Sequence, residues 1–304
     1  MRPQMHRFGD FVRRNRALTV SVAVLGAMVV AVALLPLVLP STRMIAPSNR
    51  LLPPSWSHPF GTDSYGRDVL SRLVTGGRYS LGLAALITLC AGTLGLLIGM
   101  VSGFFRTADA VLMRLVDAGM AFPGIVLAMS LAVALGPSMS TELLALTIVF
   151  TPLVARVIRS RALSVSRRNY IDAARAAGVP AWKILLKHVC PNVLPLAVVQ
   201  LVIISAMSML IDGALSFLGL GIAPPTPTWG NMISDGRDYL TVAPWLVIFP
   251  GVALLVCVFF LNLLGSSLRA TVDPRVRALN ALQRLRARHR TATPFTKAPR
   301  MRTP

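Results

Sequence analysis

Acidic side chains are scarce in this sequence. Its 304 residues include 11 Asp and Glu against 31 Lys and Arg, and Glu142 is the one glutamate. The four histidines are scattered along the chain, and neither a His-Glu-x-x-His pair nor a Gly-x-Ser-x-Gly elbow occurs. An acid–base centre or a metal-dependent hydrolase centre would therefore have few residues to work with.

Two further absences concern phosphate binding and cysteine chemistry. The dipeptide Gly-Lys never occurs, so the chain has no Gly-x-x-x-x-Gly-Lys-Ser/Thr loop to hold nucleotide phosphates. Its three cysteines, Cys90, Cys190 and Cys257, do not pair within an oxidising loop and favour neither a disulfide framework nor a zinc site. We interpret them as small buried hydrophobic residues, and we expect no cofactor and no metal ion in this chain.

Charge is also absent from long stretches of the chain. Hydrophobic residues make up 54% of the sequence and charged residues 14%, a composition too apolar for an ordinary soluble domain. A helix needs roughly 20 apolar residues to cross the hydrocarbon core of a membrane. Four longer windows contain no Asp, Glu, Lys or Arg: 17–42, 79–105, 118–141 and 239–268.

Two more windows complete the predicted set of spans. Residues 189–211 also contain no Asp, Glu, Lys or Arg, and residues 142–158 form a weaker candidate because they include Arg156. The sequence therefore predicts an all-α polytopic membrane protein with six transmembrane helices. We expect them near 17–40, 79–104, 112–136, 141–159, 192–214 and 243–266.

The basic residues predict the orientation of these spans. With six spans, 25 of the 31 Lys and Arg fall in segments on one side of the membrane. Short loops rich in Lys and Arg stay in the cytoplasm, so both termini are predicted to be cytoplasmic. The net charge of +20 thus faces anionic lipid headgroups, and we expect no nucleic-acid partner. The first apolar run is too long for a typical signal peptide, and we interpret it as an uncleaved anchor.

These patterns divide the chain into five regions. Residues 1–16 form a basic cytoplasmic N-terminus, 17–40 the first transmembrane helix, and 41–78 an extracytoplasmic loop. Residues 79–268 form the core domain, and 269–304 a basic cytoplasmic tail that we expect to be partly disordered. The core domain includes a polar segment at about 165–191 and a second extracytoplasmic loop at about 216–242.

The polar segment is too hydrophilic to lie in hydrocarbon. Residues 167–177 are rich in alanine and favour a helix, which Gly178 can end in a left-handed conformation. Pro180 suits the first turn of a second helix, on which Trp182, Leu185, Leu186 and Val189 are spaced to share one face. From the residues alone, this hairpin either docks a partner protein or rests on lipid headgroups as a basic connector.

Few ionisable residues lie near the predicted spans. Asp117 and Asp212 both sit near span ends, and we expect structural roles for them, such as capping or pairing with an arginine. A proton-coupled transporter more often places a carboxylate near mid-membrane, so this reading is disfavoured. In the second span, Gly95, Gly99 and Gly103 have the spacing that lets helices pack closely, which we expect within the chain.

Several blocks in order give the chain a strong family resemblance. The segment Asp172-Ala173-Ala174-x-x-x-Gly178, followed by Lys187-His188 and Leu194-Pro195, resembles the EAA loop of bacterial ABC-importer permeases, with Asp172 in place of the usual Glu. Other blocks resemble the C-type permeases of dipeptide, oligopeptide and nickel importers. They are His58 to Asp68, Phe122-Pro123, Leu215 to Gly230, Asn262 to Gly265, Leu268-Arg269 and Asp273 to Arg275. Together they cover roughly residues 17–277.

The resemblance implies a type I ABC importer permease fold in a bacterial inner membrane, with several partners. These would be a second homologous permease, two cytoplasmic ATPases that bind ATP and Mg²⁺, and an extracytoplasmic substrate-binding protein. It also implies that residues 170–181 contain the helix that docks in an ATPase groove. The coupling residues expected on this basis are Tyr170, Asp172, Ala173, Ala174, Arg175, Gly178, Lys183 and Lys187.

On the opposite side, the resemblance implies a rim that meets the binding protein. The rim residues expected are Phe60, Asp63, Arg67, Asp68, Trp229 and Arg237. The alternative is that these loops only cover the membrane surface, with Arg67–Asp68 and Arg237–Asp238 as ion pairs that fix the fold.

The function expected from the resemblance is import of dipeptides or oligopeptides by a non-enzymatic permease subunit. Import of nickel or another small solute is the alternative within the same class, although the spans have no histidine-rich stripe. A proton-coupled secondary transporter or a membrane enzyme is the alternative from another class, and the scarcity of carboxylates and catalytic constellations disfavours both.

Overall fold

A computed structural model of the protein describes residues 16–39 and 45–272, and within these ranges the regular structure is helical. The predictions for residues 1–15 and for the tail beyond residue 272 lie outside the described residues. The helices are α1 (Arg16–Leu34), α2 (Val69–Phe104), α3 (Arg106–Gly119), α4 (Gly124–Leu135), α5 (Met139–Ser166), α6 (Asn169–Ala176), α7 (Ala181–Ile184), α8 (Cys190–Phe217), α9 (Trp229–Gly236) and α10 (Trp245–Val272).

Among the described residues, five helices are long and apolar enough to cross a membrane. The third predicted span is not one helix, because α3 and α4 meet at an angle of 77°. The break falls at residues 120–123, where Pro123 disfavours a helical backbone at Phe122. The described residues therefore contain six candidate spans if the bent pair counts as one, and the continuous helix predicted at 112–136 is wrong.

The second span begins ten residues earlier than the hydropathy pattern predicts. The carboxylate of Asp68 accepts hydrogen bonds from the backbone nitrogen and the hydroxyl of Ser71, at 2.8 and 3.0 Å. This N-cap satisfies donors that the first helical turn leaves free, so α2 starts at Val69 and runs for 36 residues. Residues 69–78 thus belong to the helix and not to an extracytoplasmic loop.

The other expected loop also contains regular structure. The hydroxyl of Thr228 accepts a hydrogen bond from the backbone nitrogen of Asn231, whose side chain accepts one from the Thr228 backbone in return. This capping box starts α9, a short helix within residues 216–242. The loop is therefore a folded cap on one end of the bundle.

Helices α2 and α5 form the central contact of the bundle. Gly95, Gly99 and Gly103 of α2 lie so close to α5 that a Cβ atom at each would collide with its residues. The predicted close packing within the chain is therefore confirmed for this helix pair. The core around this seam is made of fully buried apolar side chains, including Leu83, Ile87, Leu146, Phe150, Ile158, Ile171 and Val189.

The cysteines match their interpretation unevenly. All three are free thiols in the structure. Cys257 is fully buried and packs beside Met209, whereas Cys90 and Cys190 are only half-buried. Their role as small apolar residues is therefore confirmed in the core for Cys257 alone.

Candidate functional site

The turn of the polar hairpin has the geometry of a Schellman motif. Gly178 has a φ angle of +73°. Its backbone nitrogen donates to the carbonyl oxygen of Arg175 at 3.0 Å, and that of Val179 donates to Ala174 at 3.1 Å. The left-handed end predicted for α6 is confirmed. Pro180 lies immediately before α7 rather than inside its first turn.

The inner face of the hairpin is anchored in the core of the bundle. Ile171, Ile184 and Val189 are at most 1% exposed and belong to the central apolar cluster. Ala174 and Val179 also pack against this cluster, on either side of the turn. The hairpin is thus fixed to the spans by apolar burial on both of its arms.

The outer face carries the residues that the sequence singled out. All of them except the half-buried Ala174 are exposed. Small residues 173 and 176–178 leave a shallow surface, bordered by polar and aromatic side chains. The exposed predicted residues are Tyr170, Asp172, Ala173, Arg175, Gly178, Lys183 and Lys187.

Arg175 is engaged within the chain as well as exposed. Its guanidinium donates to Asp172 at 3.2 Å and lies 5.3 Å from the centre of the Phe104 ring, at the end of α2. A cation above an aromatic face is attracted by the negative ring face. Arg175 therefore links the hairpin to α2.

The structure adds two apolar residues to the outer face. Trp182 and Leu186 are 59% and 55% exposed, although their spacing predicted one face with Leu185 and Val189. Residues 185–189 form a π-helical turn between α7 and α8. Such a turn holds more residues than an α-helical turn and shifts the faces of the helix. The predicted common face is therefore wrong, since Trp182 and Leu186 are exposed whereas Val189 is buried.

At the opposite end of the bundle, Asp63 organises a buried ion-pair cluster. Its carboxylate accepts from Arg67 Nε at 2.7 Å, from Arg72 Nη1 at 2.5 Å, and from the backbone nitrogens of Tyr65 and Arg67. Arg67 thus pairs with Asp63 and not with its neighbour Asp68. Arg72 also approaches Asp235, whose pKa is raised by partial burial against the opposing effect of Arg67.

Most of the predicted rim side chains are used inside the fold. Asp68 caps α2 and lies 3.0 Å from the ring of His58. Phe60 stacks on Phe249 at 4.0 Å. Trp229 is 2% exposed, and its ring nitrogen donates to the Leu73 carbonyl at 2.9 Å. These side chains stabilise the rim from within the fold and do not form its exposed surface.

Apart from Arg237, the exposed side chains at this end were not among the predicted rim residues. Arg237 is the predicted rim residue that lies on the surface, paired with Asp238 at 3.4 Å. Trp56, Tyr65, Leu240 and Val242 are exposed there too and were not predicted. Their exposure was hard to predict from the sequence, because isolated apolar residues in loops are common on protein surfaces.

The two aspartates near span ends have different environments. Asp117 pairs with Arg156 at 2.5 Å, which confirms the structural role expected for it. Asp212 does not pair with an arginine among the described residues, and it lies instead beside Glu142 and Ser216 in the buried bundle. No group of three or more His, Cys, Asp or Glu able to hold a metal ion occurs in the described ranges.

Comparison with known proteins agrees with this architecture. Residues 92–278 match the family described as binding-protein-dependent transport system inner membrane component. The dipeptide transport system permease protein of Alkalihalophilus pseudofirmus is 35% identical over 269 residues, which cover 88% of this chain and 88% of that protein.

A second relative shows similar agreement over a shorter region. The glutathione transport system permease protein of Pectobacterium atrosepticum is 37% identical over 226 residues, or 74% of this chain and 75% of that protein. The family model covers more than half of the chain, and both relatives are matched over more than two thirds of its length. The chain therefore belongs to the binding-protein-dependent transport system inner membrane components and is a multi-pass permease subunit of a bacterial ABC importer.

Proposed function

We propose that this permease imports peptides, with ATP hydrolysed by partner subunits that dock on the polar hairpin. The observation that carries the proposal is the hairpin itself, whose inner face is anchored in the core while its outer face is exposed. Relatives named for dipeptide and glutathione transport support a peptide cargo. ATP and Mg²⁺ would be bound by the ATPases, and this chain would hold neither.

The docking surface would be the outer face of residues 170–187. Its small residues form a shallow base that suits insertion into a groove, and Tyr170, Trp182 and Leu186 supply apolar contact area beside it. Aromatic side chains commonly dominate such interfaces, whereas charges at the edge steer association. Lys183 and Lys187 would steer an acidic groove towards the hairpin.

Import would follow from rigid-body movement of the hairpin. When two ATPases close, a hairpin fixed to α5 and α8 moves with them and tilts the attached spans. A second homologous permease would provide the other half of the path, so that each subunit moves against the other. Both termini would lie in the cytoplasm with the hairpin, as the distribution of Lys and Arg favours.

The opposite rim would receive cargo from a binding protein. In this proposal the contact residues are the exposed Trp56, Tyr65 and Arg237, while Asp63 and Trp229 hold the rim in shape. Import of nickel or another small solute remains the alternative cargo class. The relatives named for peptide and glutathione transport favour peptides over it.

A reconstituted complex tests the proposal. The permease is co-purified with its partner permease, ATPases and binding protein, and ATPase activity is measured with peptides, nickel chelates and haem. We expect stimulation by peptides of two or more residues. Stimulation by nickel chelates alone would show that the cargo is nickel and not a peptide. ATPase subunits that fail to bind this chain would refute the docking role.

A further inference from the structure

The single glutamate of the chain lies against an aspartate in the interior of the bundle. Glu142, in the first turn of α5, is 1% exposed, and Asp212, in the last turns of α8, is 2% exposed. The two carboxyl groups are within hydrogen-bonding reach of each other. Packing of the spans thus brings together two groups that repel each other when both are ionised.

The hydrogen bonds of this pair are incomplete if both groups are ionised. Both carboxyl oxygens of Glu142, and Oδ2 of Asp212, are buried without a donor among the described residues. An ionised carboxylate only accepts hydrogen bonds, but a protonated one also donates. We propose that the pair holds one shared proton, which forms a hydrogen bond between Glu142 and Asp212 and joins α5 to α8.

The surroundings assign the proton to Glu142. The hydroxyl of Ser216 donates to Oδ1 of Asp212 at 3.3 Å, and the hydroxyl of Ser80 on α2 lies beside the same carboxylate. Hydroxyl donors stabilise the charged form of the group that they contact. Glu142 has no comparable donor among the described residues, so it carries the proton and Asp212 carries the charge.

Among the described residues, no basic side chain pairs with the two carboxyl groups in place of the proton. In residues 16–39 and 45–272, no Arg, Lys or His forms an ion pair or a hydrogen bond with either carboxyl. The groups that approach the pair are Ser80 from α2 and Ser216 from α8, and the backbone nitrogen of Trp229 on α9 donates to Ser80. The pair is therefore the titratable unit of this site.

The pair lies next to the folded cap of the bundle. It links the start of α5 to the end of α8, immediately before residues 216–242, which form the folded cap. A shared proton keeps these two helix ends together, whereas its loss leaves two buried negative charges that repel each other. Loss of the shared proton would therefore weaken the link between these two helix ends.

Infrared spectroscopy of the assembled transporter in lipid tests this proton site. We expect a carbonyl stretch from a buried, protonated carboxylic acid, which Glu142→Gln removes. Asp238→Asn is the control, because Asp238 is exposed and should leave the band unchanged. In thermal unfolding the native complex should lose stability with rising pH more steeply than the Glu142→Gln variant, whose amide still donates to Asp212.

Two results would overturn the proposal. The first is a spectrum without a band that depends on Glu142, with the same pH dependence of unfolding in the native and Glu142→Gln complexes. The second is stabilisation of the native complex, but not the variant, by Na⁺ or Ca²⁺, since the pair would then bind a cation in place of the proton. These measurements do not depend on which cargo is transported.

Discussion

The backbone nitrogen of Val179 donates a 3.1 Å hydrogen bond to the carbonyl oxygen of Ala174, and this bond closes the turn of the exposed hairpin. The two residues also pack against the same buried cluster. The bond requires the left-handed backbone of Gly178 between them, at a φ angle of +73°. One glycine therefore sets the angle between the arms of the proposed docking surface.

Replacing Gly178 by valine should uncouple transport while the chain remains in the membrane. A Cβ at this position meets no atom within 4 Å, so the cost comes from the backbone and not from a collision. Left-handed conformations cost an L-residue about 1–2 kcal/mol, and more for a β-branched one. Substrate uptake and substrate-stimulated ATPase activity of the reconstituted complex should both fall severalfold.

The matched control for this change is Gly178→Asn, because asparagine tolerates the left-handed region better than other residues. It should retain most of the uptake. Undiminished uptake by Gly178→Val at normal expression would show that the turn angle does not matter for coupling.

Reversing the charge of Asp172 should weaken the proposed docking in two ways. Lysine there removes the 3.2 Å partner of Arg175 and places a cation in the first turn of α6. A positive charge near a helix N-terminus costs about 0.3–1 kcal/mol. Co-purification of ATPases with Asp172→Lys should decrease, whereas Asp172→Glu should behave like the native chain. Equal recovery from both variants would remove Asp172 from the docking surface.

Exposed and buried residues of the hairpin should respond differently to truncation. Trp182→Ala removes a side chain that is mostly exposed, so the unfolding temperature of the permease alone should change little while ATPase binding falls. Ile184→Ala, two residues away, opens a cavity in the core and should cost about 2–5 kcal/mol of stability. Binding assays and thermal unfolding of both variants make the comparison. A Trp182→Ala chain that binds ATPases normally would confine docking to α6.

The sequence predicted the spans better than their ends. Charge-free windows locate apolar helices because hydrocarbon excludes charge, and each window corresponds to helical structure in the described residues. Hydropathy does not report a cap such as Asp68, which extends α2 across residues that include Arg72 and Arg78. It also does not report the bend before Gly124, although Pro123 was visible in the sequence and has a known effect on the preceding residue.

Some parts of the candidate site could also be predicted from the sequence and others could not. The hairpin was predictable because its helix, glycine and proline signals are local in the chain. The environment of Asp212 was not, because Glu142 comes from a distant part of the sequence and meets it only after the spans pack. The different exposure of Trp182 and Val189 was not predicted either, because a π-helical turn between them changes the helical period.

Neutralising Asp63 should destabilise the rim strongly. Its carboxylate holds Arg67 and Arg72, which are both largely buried. Asp63→Asn leaves Arg67 without its countercharge and Arg72 with the longer 3.4 Å contact to Asp235. Removing one member of a buried ion pair costs about 3–5 kcal/mol. Asp238→Asn is the control, since the Arg237–Asp238 pair is exposed and should be worth at most about 1 kcal/mol. Thermal unfolding distinguishes the two, and similar melting temperatures would show that the Asp63 cluster contributes little.

A larger residue at Gly99 should disrupt the seam between α2 and α5. A Cβ there would lie 2.6 Å from the carbonyl oxygen of Ala155 and 2.7 Å from Ile158 Cβ, both on α5. Overpacking of a tight core usually costs about 1–3 kcal/mol, and backbone atoms yield less readily than side chains. Gly82→Val provides a control on the same helix, because a Cβ at Gly82 meets no atom within 4 Å. We expect Gly99→Val to lower the unfolding temperature and the yield of assembled complex, and Gly82→Val to change neither. Equal stability of the two variants would mean that the contact between α2 and α5 accommodates a larger side chain without loss of stability. The glycine spacing would then have no packing role.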